Sequence, residues 1–149
     1  MNEVKFRLAN VEDVEGIIKL CNECFNENTS LEYAMRIFQE TINDNNQMYL
    51  IGVMGDEIVA HAKITIIPTI YEKMNTYSIL NHVCVKPEYR RHKIATKMLD
   101  ICEEISRRRN CVAMELWSNN SRQPAHKCYK NYGFVVNDAK FFSKEIVGE

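Results

Sequence analysis

The sequence predicts one α/β domain: a mixed β-sheet of six to seven strands with helices on both faces. Three observations lead there. Apolar residues alternate with period two over several short runs, and between those runs they recur at helical spacing. Some strand runs are linked by tight turns and others by helices, which implies antiparallel and parallel neighbours in one sheet. The chain has 149 residues, enough to surround a single core, and carries neither internal repeats nor a low-complexity linker.

Val4, Phe6 and Leu8 alternate with Lys5 and Arg7, as in a half-exposed first strand. Asn10 then caps a helix, with Asp13 in a capping-box position, and Val11, Val14, Ile17, Ile18, Cys21 and Phe25 form its apolar stripe. Asn28-Thr29-Ser30 breaks and recaps the chain for a second helix with Leu31, Ala34, Met35, Phe38 and Ile42 inward. Residues 48–53 read as a strand. Gly55-Asp56 turns it into a second, 58–67, with Ala60, Ala62, Ile64 and Ile66 on one face. Pro68 stops that strand, because it cannot donate to a ladder.

After a loop at 69–76 comes a β-branched run, Tyr77 to Val85, and then Lys86-Pro87-Glu88 turns the chain. A basic cluster, Arg90-Arg91-His92-Lys93, precedes a helix opening at Ile94, with Ile94, Met98, Ile101, Cys102 and Ile105 inward and Arg107-Arg108-Arg109 at its end. Residues 112–117 form the next strand. Pro124 starts a short helix that Gly133 stops, and residues 134–136 and 140–146 supply the last two strands.

A formal net charge of −1 speaks against general nucleic-acid or membrane-surface binding, so any basic site is local. The three-arginine run reads as cations complementing the carboxyl end of a helix, although a nucleic-acid surface built from it and from residues 90–93 is the competing expectation. No run approaches the length of a membrane span, and a cytoplasmic location is expected. Six cysteines without disulfide-rich spacing read as reduced thiols. Cys21 and Cys24 share a helix face, and without a second CxxC they are not read as a metal site.

The junction from Tyr77 to Leu99 concentrates the chemistry. A strand that feeds a short loop and then a helix aims unpaired backbone N–H groups and the positive end of the helix dipole at one point, a place for phosphate. Val85-Lys86-Pro87, Arg90, Ile94 and Ala95 at this point resemble the cofactor loop of the GNAT superfamily, acyl-CoA-dependent N-acetyltransferases. Lys93 stands where that family usually has glycine; a lysine keeps the amide donor there if its φ is negative, or else crowds the cofactor. Further on, Arg122, Ala125, His126, Tyr129, Gly133 and Phe134 are similar to the family's C-terminal signature, so the resemblance covers nearly the whole chain.

The resemblance implies a GNAT-like domain over residues 1–149 that moves an acetyl group from acetyl-CoA to an amine of a small molecule or peptide, as a monomer or homodimer without a metal. The backbone of Val83, Cys84 and Val85 would hold the pantetheine. Arg90, Arg91, His92, Lys93, Ile94, Ala95 and Thr96 would hold the diphosphate, with Arg122 adding a contact. Tyr129 would be the general acid, since a phenol of pKa near ~10 can protonate a thiolate. The base stays open. The aligned position, Asn81, takes no proton near neutral pH. His82 is expected on the opposite face of the strand, and His61, Glu115, His126 or a water relay are further candidates. The acceptor is expected near residues 25–35, where Glu23, Glu27 and Glu32 favour a cationic amine. A non-catalytic acyl-CoA-binding module is the alternative.

Overall fold

The structure, a computed structural model, describes residues 3–90 and 93–146. They fall into two compact units, one ending at Trp117 and the other beginning at Ser118. The first holds β1 (Lys5–Leu8), a 3₁₀ turn (Val11–Asp13), α1 (Val14–Phe25), α2 (Leu31–Thr41), β2 (Gln47–Met54), β3 (Glu57–Ile67), β4 (Tyr77–Val85), α3 (Ile94–Arg108) and β5 (Met114–Leu116). The second holds α4 (Gln123–Tyr132).

The sheet runs β1-β2-β3-β4-β5; the first three pairings are antiparallel and β4 to β5 is parallel. It therefore has five strands among the described residues, not six to seven. The apolar residues at 134–136 and 140–146 form no ladder there, and Val135, Val136, Phe141, Phe142 and Ile146 are exposed. Alternation supplies a preference for extended backbone, but a strand exists only where a neighbour accepts its hydrogen bonds.

Each helix start follows from a side chain in the right place. Asn10 accepts from Glu12 N at 2.9 Å, and Asp13 returns a bond to Asn10 N at 2.8 Å, completing the capping box. Arg7 clamps the Asp13 carboxylate at 2.7 and 2.9 Å and holds its pKa below the ordinary value. Ser30 caps α2 by accepting from Tyr33 N at 3.1 Å.

One face of the sheet is covered by α1 and α2, through Val14, Ile17, Leu20, Cys21 and Phe38 against Ile51 and Cys84. The other carries Ala60, Ala62, Ile64, Ile66 and Leu80, all nearly inaccessible, and faces α3 with Met98, Leu99 and Cys102. A buried hydroxyl relay fixes α3 there: Ser78 and Ser106 Oγ lie 2.7 Å apart, and Ser106 donates to the Cys102 carbonyl at 2.8 Å. Every polar group in that relay has a partner, so its burial costs little. Sequence periodicity missed Leu99 and Ser106 as inward positions of α3.

The arginines that close α3 are engaged on the protein itself. Arg107 pairs with Glu103 at 2.7 Å, Arg108 pairs with Glu104 at 2.8 Å, and Arg109 donates to the Asn45 carbonyl at 2.7 Å. No helix among the described residues is long and apolar enough to cross a membrane.

Candidate active site

β4 changes character at its midpoint. Ser78, Ile79 and Leu80 pair with β5 on one side and with β3 on the other. Beyond Leu80 no described residue of β5 faces the strand, while β3 continues opposite Asn81, Cys84 and Val85. Among the described residues, one edge of residues 81–85 therefore lacks a ladder partner. An extended ligand carrying amides can complete such an edge as an added strand does.

A bulge sits past Leu80. Pairing shifts between His61 and Lys63, and His82 takes a left-handed conformation, φ 47°. One extra residue on β4 breaks the two-residue alternation. Asn81 and His82 are consequently both exposed in succession, which corrects the expectation that they take opposite faces. The carbonyl that the bulge frees is taken up by His61, whose Nδ1–H donates to His82 O at 2.9 Å. His61 is 3% exposed and thereby committed to structure.

His82 has a partner of its own. Its Nε2 lies 3.1 Å from both carboxylate oxygens of Glu27, just past the end of α1, and its ring packs on Phe25 with centroids 4.7 Å apart. Asn26 makes this reach possible, because it ends α1 in the left-handed conformation, φ 53°. With Nε2–H directed at the carboxylate, Nδ1 is the ring nitrogen left to accept a proton. That is the arrangement of a base oriented by an acid. Glu115 is exposed on β5 opposite Ile79, at the paired end.

Across the turn after β4, α3 begins at Ile94 with Lys93 as its N-cap and no side-chain cap. Among the described residues the Lys93 side chain thus leaves the first-turn amides of Ile94, Ala95 and Thr96 without a cap, and Thr96 is exposed. Lys93 has φ 61°, not the negative value under which a lysine was expected to serve. It holds the backbone shape that glycine adopts freely, at a cost of roughly 1–2 kcal/mol. Arg90 turns back on the strand end: its Nε donates to Val85 O at 2.9 Å. Arg91 and His92 lie outside the described residues.

In the second unit Tyr129 is buried on α4 and packs edge-on against Phe134 with centroids 5.8 Å apart. Phe134 N and Gly133 N both donate to the Tyr129 carbonyl, at 2.9 and 3.1 Å. Gly133, φ 123°, makes that reversal in a conformation side chains rarely adopt. Arg122 is the N-cap residue of α4, and His126 is half-buried in its first turn.

An open cleft lies elsewhere. It encloses about 660 Å³ between α1 and the β2–β3 hairpin, is lined by Arg7, Lys19, Glu23, Glu57 and Lys86, and includes neither His82 nor Tyr129. Its lining cations and carboxylates are mixed, and four of them are already paired: Arg7 with Asp13 and Lys86 with Glu57. No group of His, Cys, Asp or Glu among the described residues could hold a metal.

A bulged central strand whose pairing with β5 ends at Leu80, followed by the amino end of a helix, is the setting in which the family match falls. The chain belongs to the acetyltransferase (GNAT) family, whose model matches residues 14–134. No curated protein sequence matches it. Among solved structures it is similar to an aminoglycoside N-acetyltransferase, AAC(6')-Iy, in complex with CoA (TM-score 0.85, 13% identity, 97% of this chain and 96% of that one). It is also similar to an aminoglycoside 6'-N-acetyltransferase from Acinetobacter baumannii (TM-score 0.81, 15% identity, 98% and 100%). A GNAT family acetyltransferase from Staphylococcus aureus resembles it as well (TM-score 0.75, 21% identity, 97% and 100%).

Proposed function

We propose that the protein transfers the acetyl group of acetyl-CoA to a primary amine of a small molecule or peptide by direct attack. The observation that carries this reading is the unpaired edge of β4 beyond Leu80, with the uncapped amino end of α3 following it. Together they offer what the coenzyme needs: amide partners for an extended pantetheine and N–H donors for a diphosphate. Backbone groups of Val83, Cys84 and Val85 hold the pantetheine, and the amides of Ile94 and Ala95, with Thr96, hold the diphosphate. The coenzyme supplies the activated thioester.

His82 is the residue we assign as general base, with Nδ1 taking the amine proton directly or through water. Glu27 is a positioning residue that sets the ring's tautomer and orientation. Asn81 cannot do this work, and His61, 3% exposed, is buried away from an incoming amine. Tyr129 is assigned as the acid for the departing thiolate. Support for it comes from its own segment, where burial and the Gly133-Phe134 reversal fix the ring at the end of α4.

The acceptor is read as a cationic amine, from Glu23, Glu27 and Glu32 around the end of α1. Amino sugars enter the test panel because two structural neighbours are aminoglycoside acetyltransferases. The test is calorimetry with CoA, followed by free-thiol release from acetyl-CoA with polyamines, amino sugars, amino acids and peptide N-termini. Binding together with acceptor-dependent release is expected. Binding with no release for any amine favours a non-catalytic acyl-CoA module, and no binding overturns the reading.

A further inference from the structure

We propose that His61 is a positioning residue for His82: by holding the His82 carbonyl it keeps β4 bulged and so turns the ring of the assigned base toward Glu27. The proposal rests on the transferase reading and names the residue that arranges its base. On β3, His61 faces Cys84 of β4, whereas Lys63 faces Asn81. Two steps along β3 thus match three along β4, and Ala62 stands opposite both His82 and Val83.

Such a bulge needs something to keep it. His82 has φ 47°, and a side chain in the left-handed region is strained unless its surroundings fix it. The competing arrangement is a regular β4. Alternation would then put His82 on the face of Leu80, which packs toward α3, and take its ring away from Glu27 at the end of α1. The bulge therefore decides which side of the sheet receives the base.

Two groups grip His82 from opposite ends. Glu27 meets the ring, 3.1 Å from Nε2, and His61 meets the backbone. His61 Nδ1 lies 2.9 Å from the His82 carbonyl, and because a carbonyl only accepts, that nitrogen carries the proton. The other ring nitrogen agrees. Nε2 is buried without a partner among the described residues, so a proton there would be an orphaned donor. Cys21 Sγ, 3.9 Å from Nδ1, backs the same ring from α1. His61 is too buried to meet an amine itself, so it acts through the bulge.

The experiment uses the full chain. In the wild type, long-range proton–nitrogen spectra of the imidazoles should show His61 as the Nδ1–H tautomer and His82 as the Nε2–H tautomer. An Nε2–H His61 overturns the proposal by itself, since a bare Nδ1 cannot donate to a carbonyl. His61→Leu removes the donor and keeps an apolar core. It should abolish the single His82 tautomer and lower kcat about 10-fold, the loss of one hydrogen bond, with the amine KM moving less and CoA affinity unchanged by calorimetry. His61→Asn, whose side-chain nitrogen stands as far from the backbone as Nδ1, should recover most of both. Added to His82→Gln, His61→Leu should cost no further turnover. A folded His61→Leu with an unchanged His82 spectrum, or with the same fractional loss in the His82→Gln background, overturns the proposal. Normal turnover of His82→Gln would instead remove the base assignment, and His61's hold on the ring would then stand or fall on the spectra alone.

Discussion

The two halves of β4 share a strand and differ in almost everything else. From Tyr77 to Leu80 the backbone is paired on both sides, Leu80 is 1% exposed, and Ser78 is tied to Ser106 of α3. From Asn81 to Val85 it is paired on one side, carries a bulge and presents two successive exposed side chains. The first half is held by neighbours the chain already has. The second leaves hydrogen-bonding capacity to be met by something else, and carries His82, the base we propose. Structure and chemistry are thus divided along one element, a few residues apart.

Substitutions in the two halves should separate stability from turnover. The largest effect is expected for His82→Gln, which should lower kcat by about 10²–10⁴-fold while CoA affinity and thermal stability stay near wild type. Normal turnover in a steady-state thiol assay would remove His82 as base. Glu27→Gln should lower kcat less, and kcat more than KM, because the ring remains but loses its orienting partner. In the other half, Leu80→Ala should cost about 2–5 kcal/mol in urea unfolding, since it empties a fully packed site, with residual activity following the folded fraction.

Smaller effects probe the supports of this division. Asp13→Asn should cost about 1–2 kcal/mol by weakening the Arg7 clamp and the capping box. The sign of its pH dependence follows from linkage: Asp13 is more acidic folded than unfolded, so its contribution is complete above the unfolded carboxylate's pKa and is lost as pH falls through the depressed folded value. The acid limb of the wild-type stability curve should therefore flatten in the variant. The smallest effect is a gain. Lys93→Gly should stabilise by about 1 kcal/mol by relieving the left-handed φ, seen as a higher urea midpoint.

Much of the paired half could be read directly from residues. Tyr77–Val85 has the predicted limits because β-branched runs bounded by a loop and a proline turn admit little else. Asn10 with Asp13, Ser30 and Gly133 cap as their residue types and spacing indicate. The open half was less legible. Nothing in Leu80-Asn81-His82-Val83 announces a bulge, because the bulge is set by how β3 registers against β4, and alternation alone sends His82 to the wrong face. The Glu27–His82 pair joins residues 55 apart and leaves no local signal. The chain after Gly133 failed the other way: its alternating apolar residues suggested strands that no described neighbour pairs.

Among the described residues, the polar side chains that anchor helix α3 lie toward its carboxyl end. Arg109 grips the turn at Asn45, and the Ser106 hydroxyl locks the last turns onto β4, while the opening turn at Ile94 has no side chain closing it. Amide hydrogens should therefore exchange along a gradient, fastest over residues 94–96 and slowest near Cys102. A diphosphate seated on the opening turn would slow that fast end selectively, so the helix itself reports occupancy without any label.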